Sequence, residues 1–457
     1  MPTWFHRGYW TAYTIWSARH ESRLPYWPLE RVLAIQQRRL GRMVRHAHSS
    51  VPFYRQAMAE MSLQPEDLHT AEDLARLPMV TKKDLLENPE AFRADDIPDE
   101  RCLRIDSSGT SGRSKPIYHD AQSLFLALAH GQRQRSVLRQ FTGQLTGYRE
   151  MHAARASGVH SQIRQFYENH SIRLPGVELE RTGLPLLNVT LAEQVERINQ
   201  FRPTVLRGYG SQLGSLFRRA AEQGLHLETP KVVVYGADSM PPAERQLIEK
   251  HFEIPVLSTY QAVEALRIGF QCEERRGFHL FLDDVAVRVV DDEGHDVAPG
   301  QHGHLLLSNL TNRATVLLNY RLGDIVRLGG EPCACGRQLP TIESIEGRAD
   351  DLLLLPSGEE VHPLAILEGL RAVNGVVQVQ LVQEDRDRFE LRCVPGPSLD
   401  CARAAENLVQ ALSAGLGMPV VARVSWMDQI PPDAAGKTKA VLSHCYPVPK
   451  IEDHDVD

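Results

Sequence analysis

No run of eighteen apolar residues occurs in the 457-residue chain, so no segment is expected to cross a membrane as a helix. The first residues lack the continuous apolar core of a secretory signal. Excess positive charge is missing as well. Lys and Arg number 51 against 58 Asp and Glu, a net charge of -7. Nucleic acid is therefore not expected as the main partner, because phosphate backbones are met by a basic face. Cysteine is sparse and odd in number, seven with no regular framework, which excludes a disulfide scaffold and suits reduced thiols in the cytoplasm. There is no internal repeat and no low-complexity tract. What remains is ordinary globular composition, 42% hydrophobic and 24% charged, in a chain long enough for two or three domains.

Along the chain the texture changes three times. Trp4, Phe5, Tyr9, Trp10, Tyr13 and Trp16 recur near helical spacing, with Arg7, Arg19 and Arg23 between or just beyond them. Such a helix packs its aromatic face on the protein's own body or docks on a membrane surface or partner. A second helical stretch is expected from Leu29 to about Met61, with Val32, Ile35, Leu40 and Val44 on its apolar face. The middle alternates. Strand-like Thr204–Leu206, Lys231–Tyr235 and Ile254–Thr259 are separated by helical Leu213–Gln223 and Pro242–Phe252. That order implies neighbouring parallel strands, with ligands beyond their carboxyl ends. Those ends carry Gly208-Tyr209, Gly236-Ala237-Asp238 and Tyr260 to Glu264. From about Phe278 to Arg327 the pattern is strands and turns. After Gly347-Arg348 it becomes a small α+β domain with helices Pro363–Val373 and Cys401–Gly415.

The stretch from Ser107 to Pro116, Ser-Ser-Gly-Thr-Ser-Gly-Arg-Ser-Lys-Pro, is equipped to cradle phosphate. Small residues let backbone N–H groups converge, Ser108, Thr110 and Ser111 add hydroxyls, and Arg113 and Lys115 add charge. It lacks the Gly-Lys-Ser/Thr ending of nucleoside triphosphatase loops. Taken alone it also reads as a solvated connection.

Five motifs run in a telling order: this loop, Tyr260–Glu264, Tyr320-Arg321-Leu322-Gly323-Asp324, Gly347-Arg348-Ala349-Asp350-Asp351 and Gly436-Lys437. In order and rough spacing they resemble adenylate-forming enzymes. The nearest resemblance is to the phenylacetate–CoA ligase branch, which includes proteins encoded with capsular polysaccharide genes; Val51-Pro52-Phe53-Tyr54-Arg55 and Leu77–Lys82 look like that branch too. The resemblance implies an α/β fold, with a large N-terminal domain of layered, parallel-rich sheets and helices and a small mobile α+β C-terminal domain. The expected divisions are a helical region at 1–90, an ATP- and acid-binding core at 91–348 and the mobile domain at 349–457. It also implies activation of a carboxylic acid by ATP to an acyl-adenylate, then transfer to coenzyme A. Transfer to an amine and a non-catalytic nucleotide-binding role stay open, as does a homodimer.

By the same resemblance, Ser107, Ser108, Gly109, Thr110, Ser111, Gly112 and Lys115 would hold the β- and γ-phosphates. Glu264 would help hold Mg²⁺, Tyr260 would lie against adenine, and Gly236, Ala237 and Asp238 would line its edge. Asp324 would accept the ribose hydroxyls and Arg348 would bond the ribose or a phosphate. Lys437 would reach the carboxylate and the α-phosphate, and Asp350 would be the hinge. Departures from the pattern are Gln261 for the usual glycine, Val263 for Ser/Thr and Leu322 for Thr. Separately, Cys272, His279, Cys333 and Cys335 offer three thiolates and an imidazole, enough for a closed structural Zn²⁺ site if the two halves meet. Buried thiols and a surface histidine are the alternative. The acid pocket is expected between about Phe125 and Tyr209 and near Ser258 to Ala265. His152, Arg155, His160 and Arg164 there fit either a polar or acidic second group on the substrate or a surface helix carrying arginines.

Overall fold

The computed structural model describes residues 4–107, 115–153, 158–172, 180–185, 189–348, 352–361, 363–433 and 437–445. The chain falls into an N-terminal unit, up to 107 and from 115 to 346, and a C-terminal unit from 347 onward. Calls on 108–112 and on Asp350 lie outside the described residues.

The N-terminal unit opens with helices α1 (Trp4–Ala18), α2 (Leu29–Ser50), α3 (Pro52–Glu60) and α4 (Lys82–Glu87). The single helical stretch expected from Leu29 to Met61 is thus two helices. Val51 before Pro52 is extended, as residues before proline are pushed to be, and Pro52 starts the new helix where no N–H is needed. An antiparallel pair follows, β1 (Cys102–Ser107) and β2 (Lys115–Asp120), then the long helix α5 (Ala121–Thr142). Asp120 caps α5 by accepting from Ser123 N–H, and Gly143 ends it at φ 76°.

Strands and helices then alternate: β3 (Arg149–Ala153), α6 (Val159–His170), β4 (Glu180–Leu184), α7 (Leu191–Phe201), β5 (Val205–Tyr209), α8 (Gly210–Glu222), β6 (Val232–Gly236), α9 (Pro242–Lys250) and β7 (Val256–Tyr260). Six more strands complete the unit: β8 (Gly269–Phe270), β9 (Phe278–Leu280), β10 (Val285–Val290), β11 (His302–Asn309), β12 (Tyr320–Leu328) and β13 (Thr341–Arg348). They join one eleven-stranded sheet in the order β10-β11-β12-β13-β9-β8-β7-β6-β5-β3-β4. The pairs from β4 to β7 are parallel, whereas β7–β8, β8–β9, β9–β13, β10–β11 and β11–β12 are antiparallel.

The three strands read from the sequence are β5, β6 and β7, and each runs on into its polar tip. Parallel pairing carries them there, with Tyr209 opposite Gly236 and Gly236 opposite Thr259. Apart from charged residues on β3, β4 and β5, the parallel half is apolar on both faces, as a covered parallel sheet tends to be. Leu206, Val233 and Val256 pack with α7, α8 and α9 through Val195, Phe217 and Ile248. Val205, Val232, Val234 and Leu257 pack on the other side with Val137 and Leu138 of α5. The antiparallel half is covered by α2 and α3, where Leu40, Val44 and Tyr54 meet Leu305, Leu307 and Val326.

The aromatic helix α1 divides its face. Trp10 stacks on Phe125 of α5 at 4.9 Å and Arg7 donates to the Ser171 carbonyl at 2.6 Å, while Phe5, Tyr9 and Trp16 face solvent. Packing of the whole stripe on the body is therefore corrected to packing of one side.

The C-terminal unit has a small pair, β14 (Leu353–Leu354) and β15 (Glu360–Val361), then α10 (Leu364–Arg371), β16 (Val376–Asp385), β17 (Arg388–Pro395), α11 (Cys401–Leu416), β18 (Val421–Trp426) and β19 (Val441–Ser443). Its four-stranded sheet runs β18-β17-β16-β19, antiparallel at β16–β17 and parallel at the two flanking pairs. Leu367, Leu370, Leu408 and Leu412 of the two helices close over Leu381 and Leu391. Among the described residues of both units, no helix is long and apolar enough to cross a membrane.

One polar cluster lies wholly inside the N-terminal unit. Arg133 of α5 donates to Glu21 at 2.7 Å and to both Asp283 oxygens at 2.7 and 2.9 Å. Arg39 of α2 also reaches Asp283, and His130 meets Asp284 at 3.1 Å. Burial works against the Asp283 carboxylate, but Arg133 and Arg39 hold it far below the usual range. Removing one partner leaves a buried charge uncompensated, which costs about 3–5 kcal/mol. Arg133→Met is expected to lose that much stability in urea unfolding, and a loss under about 1 kcal/mol would contradict this account.

Candidate functional site

The tips of β5, β6 and β7 stand side by side, and their backbone is built for close approach. A Cβ on Gly236 would fall 2.6 Å from Thr259 Oγ1. Ala237 takes φ 70°, a left-handed conformation that costs a non-glycine residue of order 1 kcal/mol or more and recurs at functional sites. Asp238, expected along an adenine edge, turns its carboxylate onto the start of α8, where it accepts from Gly210 N–H and the Ser211 hydroxyl. A carboxylate there satisfies free amides at the positive end of the helix.

Lys115, Glu264, Tyr260 and Asp324, singled out from the sequence, are bonded here in two groups, the first joined by Tyr320. Lys115 leads β2 and is buried. Its Nζ donates to Glu264 Oε1 at 2.7 Å and to Tyr320 Oη at 2.7 Å. Tyr320 Oη stands 3.5 Å from the same Glu264 oxygen. Tyr260, the last residue of β7, donates its hydroxyl to the Asp324 carboxylate. Asp324 is aimed by an irregularity in β12. Between the pairs His304–Ile325 and Leu306–Arg321, β12 advances four residues while β11 advances two. Gly323 absorbs the excess at φ 91°.

The segment after β7 is tied down without the hydroxyl that Val263 replaces. His119 Nε2 lies 2.8 Å from the Val263 carbonyl oxygen, and since a carbonyl only accepts, the ring nitrogen is the donor. Burial pulls that imidazole down to about 4, so it is neutral near neutral pH. Asn309 Nδ2 donates to the Glu264 carbonyl at 3.0 Å. Val263 packs against the core, and Leu322, the other apolar departure, is itself buried in it.

Ser107 ends β1 directly opposite Lys115. Arg348 ends β13. In the C-terminal unit, Lys437 and Asp433 close a loop on each other. The Lys437 N–H donates to Asp433 Oδ1 at 2.9 Å, and the Asp433 N–H donates to the Lys437 carbonyl at 2.7 Å.

The cysteine set converges. Ligand atoms of Cys272, His279, Cys333 and Cys335 all lie within 4.8 Å of one another. Cys272 and Cys333 sulfurs are 3.7 Å apart, and Cys335 Sγ is 3.3 Å from His279 Nε2. The Leu339 carbonyl, 3.3 Å from His279 Nδ1, can only accept, so Nδ1 carries the proton and Nε2 offers its lone pair. Burial lowers this imidazole to about 4, keeping it neutral. Burial and neighbouring thiols push Cys272 and Cys333 up. The turn is tightened by Gly336 N–H to the Cys333 carbonyl at 3.2 Å, and Arg337 N–H points at Cys335 Sγ. A second group with metal-like spacing, Glu21, His130 and Asp283, is already filled by the Arg133 guanidinium.

Of the basic residues flagged for an acid pocket, His152 and His160 stack at 4.0 Å, whereas Arg164 pairs with Glu168 on its own helix. Arg155 lies outside the described residues. The reading from sequence missed Arg207 and Arg267, which face the same region. Arg207 interrupts an apolar strand and Arg267 follows Glu264 by three residues, and those were the available signals.

This sheet, these tips and the separate α+β unit are the fold of adenylate-forming CoA ligases. Over 93% of this chain and 91% of the other, the structure is similar to 2-hydroxyisobutyryl-CoA ligase in the postadenylation state with R3-HIB-AMP, at TM-score 0.72 and 21% identity. In sequence the chain is similar to phenylacetate-coenzyme A ligase of Thermus thermophilus, 29% identical with 78% of this chain and 79% of that protein covered. It is also similar to Protein CapK of Staphylococcus aureus, 22% identical with 90% and 89% covered. Residues 353–444 match the CapK C-terminal domain. The resemblance to the phenylacetate–CoA ligase branch therefore stands.

The Tyr260–Asp324 hydrogen bond is buried and its acceptor is a carboxylate, so it is worth about 1.5–3 kcal/mol. Tyr260→Phe is expected to lower stability by that amount in chemical unfolding; an unchanged midpoint would mean that the bond contributes nothing.

Proposed function

We propose that this protein joins a carboxylic acid to ATP as an acyl-adenylate and then passes the acyl group to coenzyme A. The observation that carries the reading is the bonding of Tyr260 to Asp324 and of Lys115 to Glu264 at the carboxyl edge of the parallel strands. The similarity to phenylacetate–CoA ligases over more than three quarters of the chain supports it.

In the first step a carboxylate oxygen bonds to the α-phosphorus and the bond to pyrophosphate breaks. In the second, the thiolate of coenzyme A bonds to the acyl carbon and AMP leaves. Charge moves between oxygens throughout, so the protein's task is positioning and electrostatic stabilisation. Tyr260, with Gly236 and Ala237 beside it, is proposed to receive adenine, and Asp324 to exchange its tyrosine hydroxyl for ribose hydroxyls. Ser107 to Lys115 and Arg348 are proposed to bind phosphate oxygens. Glu264 would hold Mg²⁺, a hard cation that takes one or two carboxylates and phosphate oxygens. The Lys115 ammonium now against it shows a site that already accepts positive charge. Asp238 is assigned to holding the tip of β6 in place. Lys437 is the proposed catalytic residue of the first step, neutralising carboxylate and α-phosphate, and Asp350 the proposed hinge.

Cys272, His279, Cys333 and Cys335 fit a closed, structural Zn²⁺ site. Thiols crowded this closely become stable thiolates beside a dication. All seven cysteines are unbridged, in keeping with a reducing compartment such as the cytoplasm.

Two measurements follow. Acid-dependent ATP–pyrophosphate exchange across aromatic, aliphatic and amino acids should appear with one acid class and fall about 100-fold or more in Lys437→Ala. Exchange that survives in the variant would remove Lys437 from the first step, and AMP release that answers to amines but not coenzyme A would replace the acceptor. Elemental analysis should find one zinc per chain, lost in Cys333→Ser with Cys335→Ser; a metal-free, stably folded wild type would reject the zinc assignment.

A further inference from the structure

The sheet carries a cluster of like charge on its α5 face. Glu150 and His152 alternate onto one face of β3. The registers set Glu150 opposite Arg181 on β4 and His152 opposite Arg207 on β5. Arg207 donates to Glu150 at 2.7 Å and to Gln134 of α5 at 3.1 Å, and Arg181 reaches the other Glu150 oxygen at 3.2 Å. His152 stacks on His160 of α6. Arg267 donates to the Ala127 carbonyl of α5 at 2.7 Å, and its guanidinium lies over Gly131, where a Cβ would come within 3.1 Å of Nη2. Arg135 of α5 interacts electrostatically with Arg181, Arg207 and Arg267.

Among the described residues, Arg207 and Arg181 therefore share the Glu150 carboxylate, while Arg135 and Arg267 add charge beside them. The nearby Asp284 is engaged by His130 and Arg39. Burial pulls both imidazoles down, His160 to about 4, so neither adds charge at neutral pH. Burial also lowers Arg135, and lowers Arg267 to about 10, with Arg207 acting in the same direction on both. Burial opposes the Glu150 charge, but Arg207 and Arg181 hold its carboxyl far below the usual range, so it is spent on them.

These groups line a recess and not a core. Glu150 is 4% accessible, but His152 keeps 20%, Arg207 16% and Arg181 32% of the side chain open. Arg207 comes just before the β5 tip Gly208-Tyr209, and Arg267 belongs to the segment that carries Glu264. Uncompensated charge in such a place is costly unless an anion completes it. Planar guanidinium forks match carboxylate and phosphate oxygens.

We propose that the acid activated here carries a second anionic group, and that Arg267, Arg207 and Arg135 receive it in this recess. The inference rests on the acid-activation reading for its chemistry, but the recess can be tested without it. Exchange would be measured for dicarboxylates of graded length, phosphonocarboxylates and matched monocarboxylates, with wild type, Arg267→Gln, Arg267→Lys and Arg135→Gln. Calorimetry of the same acids without ATP would run alongside, with thermal melting as the folding control.

Wild type is expected to prefer a dianionic acid at least tenfold in kcat/KM. Arg267→Gln should erase most of that preference and Arg267→Lys restore part of it. The dicarboxylate and phosphonate arms separate the two anion types. Arg135→Gln supplies the same readout if Arg267→Gln does not fold. Preference for monocarboxylates, or an unchanged ratio in a folded variant, overturns the proposal. If no acid supports exchange yet dianion binding is lost in the variant, the recess stands and acid activation fails. Absence of both exchange and dianion binding overturns the proposal itself.

Discussion

A buried ammonium holds the N-terminal site together. Lys115 Nζ lies between Glu264 and Tyr320, residues 149 and 205 positions away, and draws β2, the segment after β7 and the start of β12 to one point. A charge in that position is stable only with its counter-charge and hydrogen bonds present. The same fact makes the site responsive. Polyanionic phosphate would compete with Glu264 for the ammonium, and a metal ion would compete with the ammonium for Glu264. A site at rest with its own charges paired can exchange partners without exposing either charge unpaired.

Around this point the backbone does the aiming. Parallel strands deliver three tips to one edge. Close approach at Gly236, the left-handed Ala237 and the extra residues of β12 at Gly323 then bend the chain where side chains could not. Asp238 and His119 anchor two of these segments, and neither contact calls for a ligand. The apolar departures at Val263 and Leu322 belong to the same economy: both pack with the core, so the segments they occupy are held by carbonyl contacts and burial in place of hydroxyls.

Two other polar clusters show how differently buried charge can be settled. Glu21, Arg133, Asp283, Asp284, His130 and Arg39 form a network whose charges are paired, and it ties α2 and α5 to the turn before β10. Among the described residues, Arg181 and Arg207 share the single carboxylate of Glu150, with Arg135 and Arg267 close by. Satisfied networks read as structure, and unsatisfied ones facing solvent read as sites awaiting a ligand. The four-residue cysteine and histidine cluster falls between, since its ligand atoms converge within 4.8 Å of one another without a charge pairing them.

Much was legible in the residues themselves. The alternation of apolar runs with helical patterns showed parallel strands and which ends to inspect, because covered strands tend to be apolar on both faces while their tips need not be. Tyr260 and Glu264 stood out as polar residues at such a tip, Asp324 through a motif that resembles adenylate-forming enzymes, and Cys272, His279, Cys333 and Cys335 by donor chemistry alone. Helix limits followed local rules, as the Val51-Pro52 break shows once proline's restriction on its neighbour is applied. Tertiary structure alone decided which distant groups meet: Tyr260 with Asp324, Lys115 with Glu264, Cys272 with Cys333, Arg207 with Glu150. It alone decided that one side of the α1 aromatic stripe is covered and the other open, and that Asp238 serves the start of α8. The physical reason is the same in each case. Local propensity and periodicity act over a few residues along the chain, whereas hydrogen bonds, ion pairs and burial act over a few ångströms in space, and only the folded sheet converts one distance into the other.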